Sequence, residues 1–141
     1  MKKVAVVFWS GTGNTEQMAN VLADAIVEAG AEVKVFTASE FSAAEVANYD
    51  AIAFGCPAMG NEELEDSEFQ PMFDGCKPEL KGKPIALFGS YSWAEGEWMR
   101  TWEADCVADG LTLVGSPVIC FEAPDDEGVE NLKKLAAELA K

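Results

Sequence analysis

The chain has 141 residues, a length that suits one domain with a sizeable buried core. Hydrophobic residues make up 49% of it, which excludes a disordered polar chain, and no apolar run reaches the length of a membrane span. Ten basic and twenty-five acidic residues give a formal charge of −15 with no histidine. Nucleic acid and anionic membranes are therefore disfavoured as partners, basic surfaces are favoured, and the commonest general base is missing.

Strand and helix signals alternate from end to end. Lys2 and Lys3 precede a short apolar run ending at Trp9, too brief for most signal peptides and without a cleavage site, so it reads as the first strand of a cytoplasmic protein. Residues 4–8 are continuously apolar, as expected of a parallel strand covered on both faces. Met18, Val21, Leu22, Ala25 and Ile26 share one helix face, and Gly30 stops that helix. Residues 32–36 alternate and read as a second strand. Residues 42–48 read as a short helix and 51–55 as a third strand. An irregular acidic stretch follows, with a helical signal over 68–74. Residues 84–89 form the fourth strand. Met99, Trp102 and Cys106 make the next helical stripe, ended by Gly110. Residues 111–114 and 118–121 read as one last strand broken by Gly115-Ser116-Pro117. Leu132, Leu135, Ala136 and Leu139 give the closing helix, with Asp125, Asp126 and Glu127 near its positive end.

Five strands alternating with helices predict an α/β fold over residues 1–141, a three-layer α/β/α sandwich with a parallel sheet and right-handed crossovers. Ligands in such sheets bind at the carboxyl ends of strands, near the point where strand order reverses. Three loops follow strands there: 10–15, 56–63 and 90–98. The first reads Trp9-Ser10-Gly11-Thr12-Gly13-Asn14-Thr15. Its glycines let the backbone turn sharply, its hydroxyls and amide donate hydrogen bonds, and a helix start adds positive dipole. This is a phosphate socket without lysine or arginine.

The missing lysine disfavours a nucleoside triphosphatase, and Glu16 stands where a dinucleotide fingerprint needs its third glycine. A tyrosine-phosphatase loop would need a cysteine and an arginine. A single phosphate held by dipoles remains. In the second loop Met59 offers a thioether to a ring, Gly60 and Asn61 tolerate unusual backbone conformations, and Glu62 could accept a bond from a ring N–H. In the third, Trp93 can lie flat on a planar ligand. A phosphate socket, a stacking aromatic and a ring N–H acceptor together suggest flavin mononucleotide (FMN). The neighbouring Glu63, Glu65, Asp66 and Glu68 read as surface charges. Trp98 and Trp102 read as core and Trp9 as structural, beside the first loop. Of the four cysteines, none forms a CxxC pair, which disfavours iron–sulfur and structural zinc, and Cys106 and Cys120 read as core filling.

The motifs WSGTGNT, GCPAMGNEELEDSEF and LFGSYSWAEGEWM, in this order and spacing, resemble the flavodoxins over essentially the whole chain. The likeness is to the short-chain kind of fermentative anaerobic bacteria, since Gly115-Ser116-Pro117 leaves no room for the long-chain insertion. The resemblance implies the strand order 2-1-3-4-5, for which flavodoxin is itself a standard example. It implies that Ser10, Thr12, Asn14 and Thr15, with the amides of Gly11 to Thr15 including Gly13, bind the FMN phosphate. Trp93 would stack on one flavin face, Met59 would flank the other, and Glu62 would accept the N3–H. The Gly60-Asn61 peptide would turn on one-electron reduction, and Ala58, Ser90, Tyr91 and Ser92 would complete the cofactor set. An asparagine that contacts the cofactor in some relatives is replaced in Phe121-Glu122-Ala123-Pro124-Asp125, so that contact is not carried over.

The function so implied is a non-enzymatic, low-potential one-electron carrier cycling mainly between semiquinone and hydroquinone. Implied partners are redox proteins with basic patches, such as pyruvate:ferredoxin oxidoreductase, hydrogenase and acyl-CoA dehydrogenase, met by a monomer. One extra negative charge at ~6 Å and an effective dielectric of ~20 costs about 2.8 kcal/mol. For a one-electron couple that is roughly 120 mV. The alternatives are an FMN-dependent NAD(P)H:quinone oxidoreductase, which would need a second nucleotide pocket, and a receiver-type switch, which would need an acidic cluster at the end of the first strand.

Overall fold

The computed structural model describes residues 2–11, 13–59, 64–92 and 96–141. In chain order these form β1 (Lys3–Phe8), α1 (Asn14–Glu28), β2 (Glu32–Thr37), a 3-10 turn (Ala38–Glu40), α2 (Ala43–Val46) and β3 (Ala51–Gly55). Then come α3 (Phe69–Leu80), β4 (Pro84–Tyr91), α4 (Glu97–Ala108), β5 (Thr112–Leu113), β6 (Val118–Phe121) and α5 (Asp126–Leu139). The strands are parallel in the order β2-β1-β3-β4-β5, and β6 also pairs with β4. β5 and β6 are thus two halves of one interrupted strand: Leu113 lies opposite Ile85 and Val118 opposite Phe88.

Side chains of a strand alternate between faces, so each central strand supplies both layers. Val4, Val6 and Phe8 of β1, Ala51 and Ala53 of β3, and Ala86 and Phe88 of β4 meet Met18, Leu22 and Ile26 of α1 and Leu132, Leu135 and Leu139 of α5. Ala5, Val7, Ile52, Phe54, Ile85 and Leu87 meet Val46 of α2, Phe69, Phe73 and Cys76 of α3, and Trp98, Trp102 and Cys106 of α4. This second layer is aromatic. Phe73 stands edge-on to Phe54 at 5.0 Å and to Trp102 at 5.6 Å. Such pairs add about 1 kcal/mol each beyond the area they bury.

Two elements outrun the sequence expectation. The signal over 68–74 becomes a helix that continues to Leu80, although Gly75 and Pro78 lie in it. Phe73, Cys76 and Leu80 are buried along one face, and that packing outweighs weak local propensity. β4 runs two residues past Gly89, because Ser90 and Tyr91 pair with Cys120 and Phe121 of β6. α5 begins as its acidic start predicts, with the Asp125 carboxylate accepting the Gly128 N–H at 2.8 Å. Asp125→Ala should cost about 1 kcal/mol, measured by urea denaturation. All four cysteines are free and buried, including Cys106 and Cys120. Among the described residues, no helix is long and apolar enough to cross a membrane.

From β1 the chain passes to β2 on one side, then returns past β1 to β3 on the other. In parallel sheets, ligands bind at the carboxyl ends of the strands beside such a reversal. The loop after β4 borders the same end.

Candidate functional site

The first loop is shaped by Ser10 and Gly13. Gly13 takes a left-handed φ of 97°, a conformation that admits glycine with least cost, and it starts α1. The Ser10 hydroxyl oxygen accepts the N–H of Gly13 at 3.0 Å and of Glu16 at 3.3 Å. With both lone pairs engaged, that hydroxyl can only donate its own proton. Thr15 and Ser90 are buried, and their hydroxyls share a hydrogen bond of 2.7 Å. Two hydroxyls sharing one bond have one proton left for another acceptor. The first turn of α1 adds backbone N–H groups without intrahelical acceptors and the positive end of the dipole. The Trp9 ring flanks the loop, 3.2 Å from where a Cβ on Gly11 would stand, and its indole donates to Glu68 at 3.2 Å. This is a set of donors, and it fits an anion with several acceptor oxygens and no need of a countercharge.

The second loop is tied to β4. The Cys56 N–H donates to Phe88 O at 3.1 Å and the Ala58 N–H to Ser90 O at 3.0 Å. Trp98 of α4 donates its indole N–H to the Cys56 carbonyl at 3.1 Å. The carbonyl passes so close over Gly89 that a Cβ there would lie 2.2 Å from it. The Cys56 sulfur accepts the Glu65 N–H at 3.3 Å, and burial pushes the thiol's pKa up to about 12. Ala58 is buried and Met59 is half-buried.

At the third loop Tyr91 is half-buried between Trp98 and Phe121, with ring centroids 5.7 and 5.5 Å away. Ser92 is exposed. Glu122 donates its N–H to Tyr91 O at 2.7 Å and has φ 59°, rare for a side chain without glycine's freedom. Residues 10–15, 56–63 and 90–96 contain no lysine or arginine.

A donor-lined first loop, a backbone-tied second loop and a third loop carrying Tyr91 gather at the carboxyl end of the sheet. Comparison with known proteins agrees: the Flavodoxin family model matches residues 6–135. The chain belongs to the flavodoxin family. It is 45% identical over 138 residues to the flavodoxin of Megasphaera elsdenii, covering 98% of each chain. It is 42% identical over 134 residues to that of Clostridium beijerinckii, covering 93% of this chain and 97% of the other. The solution structure of the two-electron reduced Megasphaera elsdenii flavodoxin superposes with a TM-score of 0.87, over 95% of this chain and 98% of that one. Flavodoxins bind FMN and carry electrons to redox partner proteins, so the chain is an electron-transfer flavoprotein rather than the quinone oxidoreductase that shares its fold. The socket's donor set fits the FMN phosphate, and the reversal between β1 and β3 is where this family, a standard example of the rule, holds it.

Of the residues expected to form the site, Ser10, Gly11, Gly13, Asn14, Thr15, Ala58, Met59, Ser90, Tyr91 and Ser92 all lie at or just beyond the carboxyl ends of β1, β3 and β4. Thr12, Gly60, Asn61, Glu62 and Trp93 lie outside the described residues, as does Glu63. Trp98 and Trp102 are core, as expected, yet Trp98 also holds the second loop. Glu65 corrects the reading of its neighbourhood as surface charge: it is only 5% exposed. Its carboxylate accepts the N–H groups of Ser67, Glu68 and Phe69, each at 2.8 Å, and the Ser67 hydroxyl. Burial alone would raise its pKa, but these bonds outweigh it and hold the carboxyl below its ordinary value. The only hint in the sequence is an acidic residue four places before the first helical apolar residue, Phe69.

Proposed function

We propose that the chain acts as one FMN-binding unit that shuttles single electrons at low potential between redox enzymes in the cytoplasm of an anaerobic cell. The observation that carries this reading is a socket lined by hydroxyls and amides, with no lysine or arginine in any of the three loops, on a chain of charge −15. Bound FMN supplies the ring that takes and yields electrons. Ser10, Thr12, Asn14 and Thr15, with the amides of Gly11 and Gly13, anchor its phosphate. Ala58, Met59, Gly60, Asn61 and Glu62 meet the ring from the second loop, with Glu62 accepting a ring N–H. Ser90, Tyr91, Ser92 and Trp93 cover its other side, with Trp93 stacked flat. The three loops carry no lysine or arginine of their own to offset negative charge arriving with the second electron, which makes that electron costly to accept and readily given up.

The charge also selects partners. Proteins that present basic patches, of which pyruvate:ferredoxin oxidoreductase, hydrogenase and acyl-CoA dehydrogenase are candidates, are drawn to a monomer of this sign. Stepwise dithionite reduction of the FMN-loaded protein tests the reading. Two separated one-electron steps are expected, the second at strongly negative potential. A single two-electron wave would refute the shuttle. Mixing with NAD(P)H alone should leave the flavin absorbance unchanged; bleaching would point to the oxidoreductase instead.

A further inference from the structure

We propose that Glu65 is a positioning residue for the cofactor: together with Cys56 it clamps the two ends of the second loop and so sets the spacing of the two one-electron potentials. The inference rests on the reading that this loop contacts the flavin. The clamp has two jaws. On one side Cys56 is fixed by three bonds to other elements: its N–H to Phe88 O, its carbonyl from the Trp98 indole, and its sulfur from the Glu65 N–H. On the other side Glu65 is fixed through its own carboxylate, which takes the amides of Ser67, Glu68 and Phe69 and so starts α3. The Gln70 N–H closes the turn onto Glu65 O at 2.8 Å.

The Cys56 sulfur and the Glu65 amide are nine residues apart in sequence and 3.3 Å apart in space. That contact closes the loop at its base. A carboxylate is costly to bury, and here every bond it makes serves to hold the chain where the loop rejoins the helix. Closing the base removes arrangements of the loop that would otherwise compete in each redox state. An anchored loop can favour one redox state over another by its full set of contacts, whereas a loose one averages them away.

The test compares Glu65→Gln and Cys56→Ala with Asp125→Ala. Asp125 is also a helix-capping carboxylate, but it caps α5 in the opposite layer. Midpoint potentials of the FMN-loaded variants and hydrogen exchange at the Phe69 amide of the FMN-free protein are measured. Both clamp variants should speed exchange at Phe69. They should also lower the equilibrium constant separating the two one-electron steps, less in Cys56→Ala, which loses a neutral N–H···S bond, and about tenfold in Glu65→Gln, the scale of one lost charge-assisted bond. For a one-electron couple that narrows the spacing by about 59 mV. Asp125→Ala should lose comparable stability and leave both potentials in place. Unchanged potentials in the clamp variants, or an equal shift in Asp125→Ala, would overturn the proposal. If Glu65→Gln does not fold, Cys56→Ala decides alone. Failure of the electron-shuttle reading is told apart by the unsubstituted protein, which would then show a single wave.

Discussion

Gly89→Ala should destabilise the FMN-free protein by about 3 kcal/mol, at the upper end of what overpacking costs, and weaken FMN binding at least tenfold. A Cβ at position 89 would stand 2.2 Å from the Cys56 carbonyl oxygen and 3.2 Å from its carbon. Backbone cannot swing aside as a side-chain tip can, so the second loop must move as a unit. Moving it strains the Trp98 bond to the same oxygen and the amide bonds of Cys56 and Ala58 to β4. The stability loss therefore arrives together with a displaced cofactor loop. Gly75→Ala is the control. Its Cβ would meet nothing within 4 Å, and it lies inside α3. That change should be neutral or stabilise by up to about 1 kcal/mol. Urea denaturation and quenching of flavin fluorescence on titration measure both effects. Equal behaviour of the two variants would count against the tight approach.

Thr15→Val should weaken FMN binding by roughly 1.5 to 3 kcal/mol, about ten- to 150-fold, the range for hydrogen bonds to a charged group. The substitution keeps the shape and removes the hydroxyl, so the socket loses a donor and the buried Ser90 hydroxyl loses its partner. Thr15→Ser should restore most of the affinity. Riboflavin, which has the ring and no phosphate, provides the discriminating comparison. Its affinity should change little in Thr15→Val, so the preference for FMN over riboflavin should collapse. An equal loss for both ligands would mean that Thr15 supports the ring side and not the phosphate side.

What could be read from residues alone divides along a physical line. Features set by neighbours in sequence were legible. The apolar run of β1, the helical spacing of Met18, Leu22 and Ile26, and the glycine turn at the start of α1 each follow from local periodicity or backbone freedom. Features set by contacts across the fold were not. The bond between Thr15 and Ser90 spans 75 positions. Tyr91 joins a strand only because β6 lies beside it. Glu65 sits in an acidic stretch that reads as solvated, yet it is buried with its backbone tied to a sulfur nine residues upstream. Trp98 was recognised as core, but nothing in its neighbours tells that its indole nitrogen would hold a loop. The site's location came from topology, its chemistry from motif residues, and its rigidity from long-range bonds invisible before folding.

The unequal make-up of the two core layers has a spectroscopic consequence. Among the described residues, Trp9, Trp98, Trp102, Tyr49 and Tyr91 all pack on the layer of α2, α3 and α4. In the layer of α1 and α5 the aromatic residues among those described are phenylalanines. In the FMN-free protein carrying Trp93→Phe, intrinsic fluorescence excited near 295 nm is therefore an optical label for one side of the sheet. Far-ultraviolet dichroism counts helices on both sides. Recorded during the same denaturation, the two signals distinguish a sheet that loses both coats together from one that sheds them in turn.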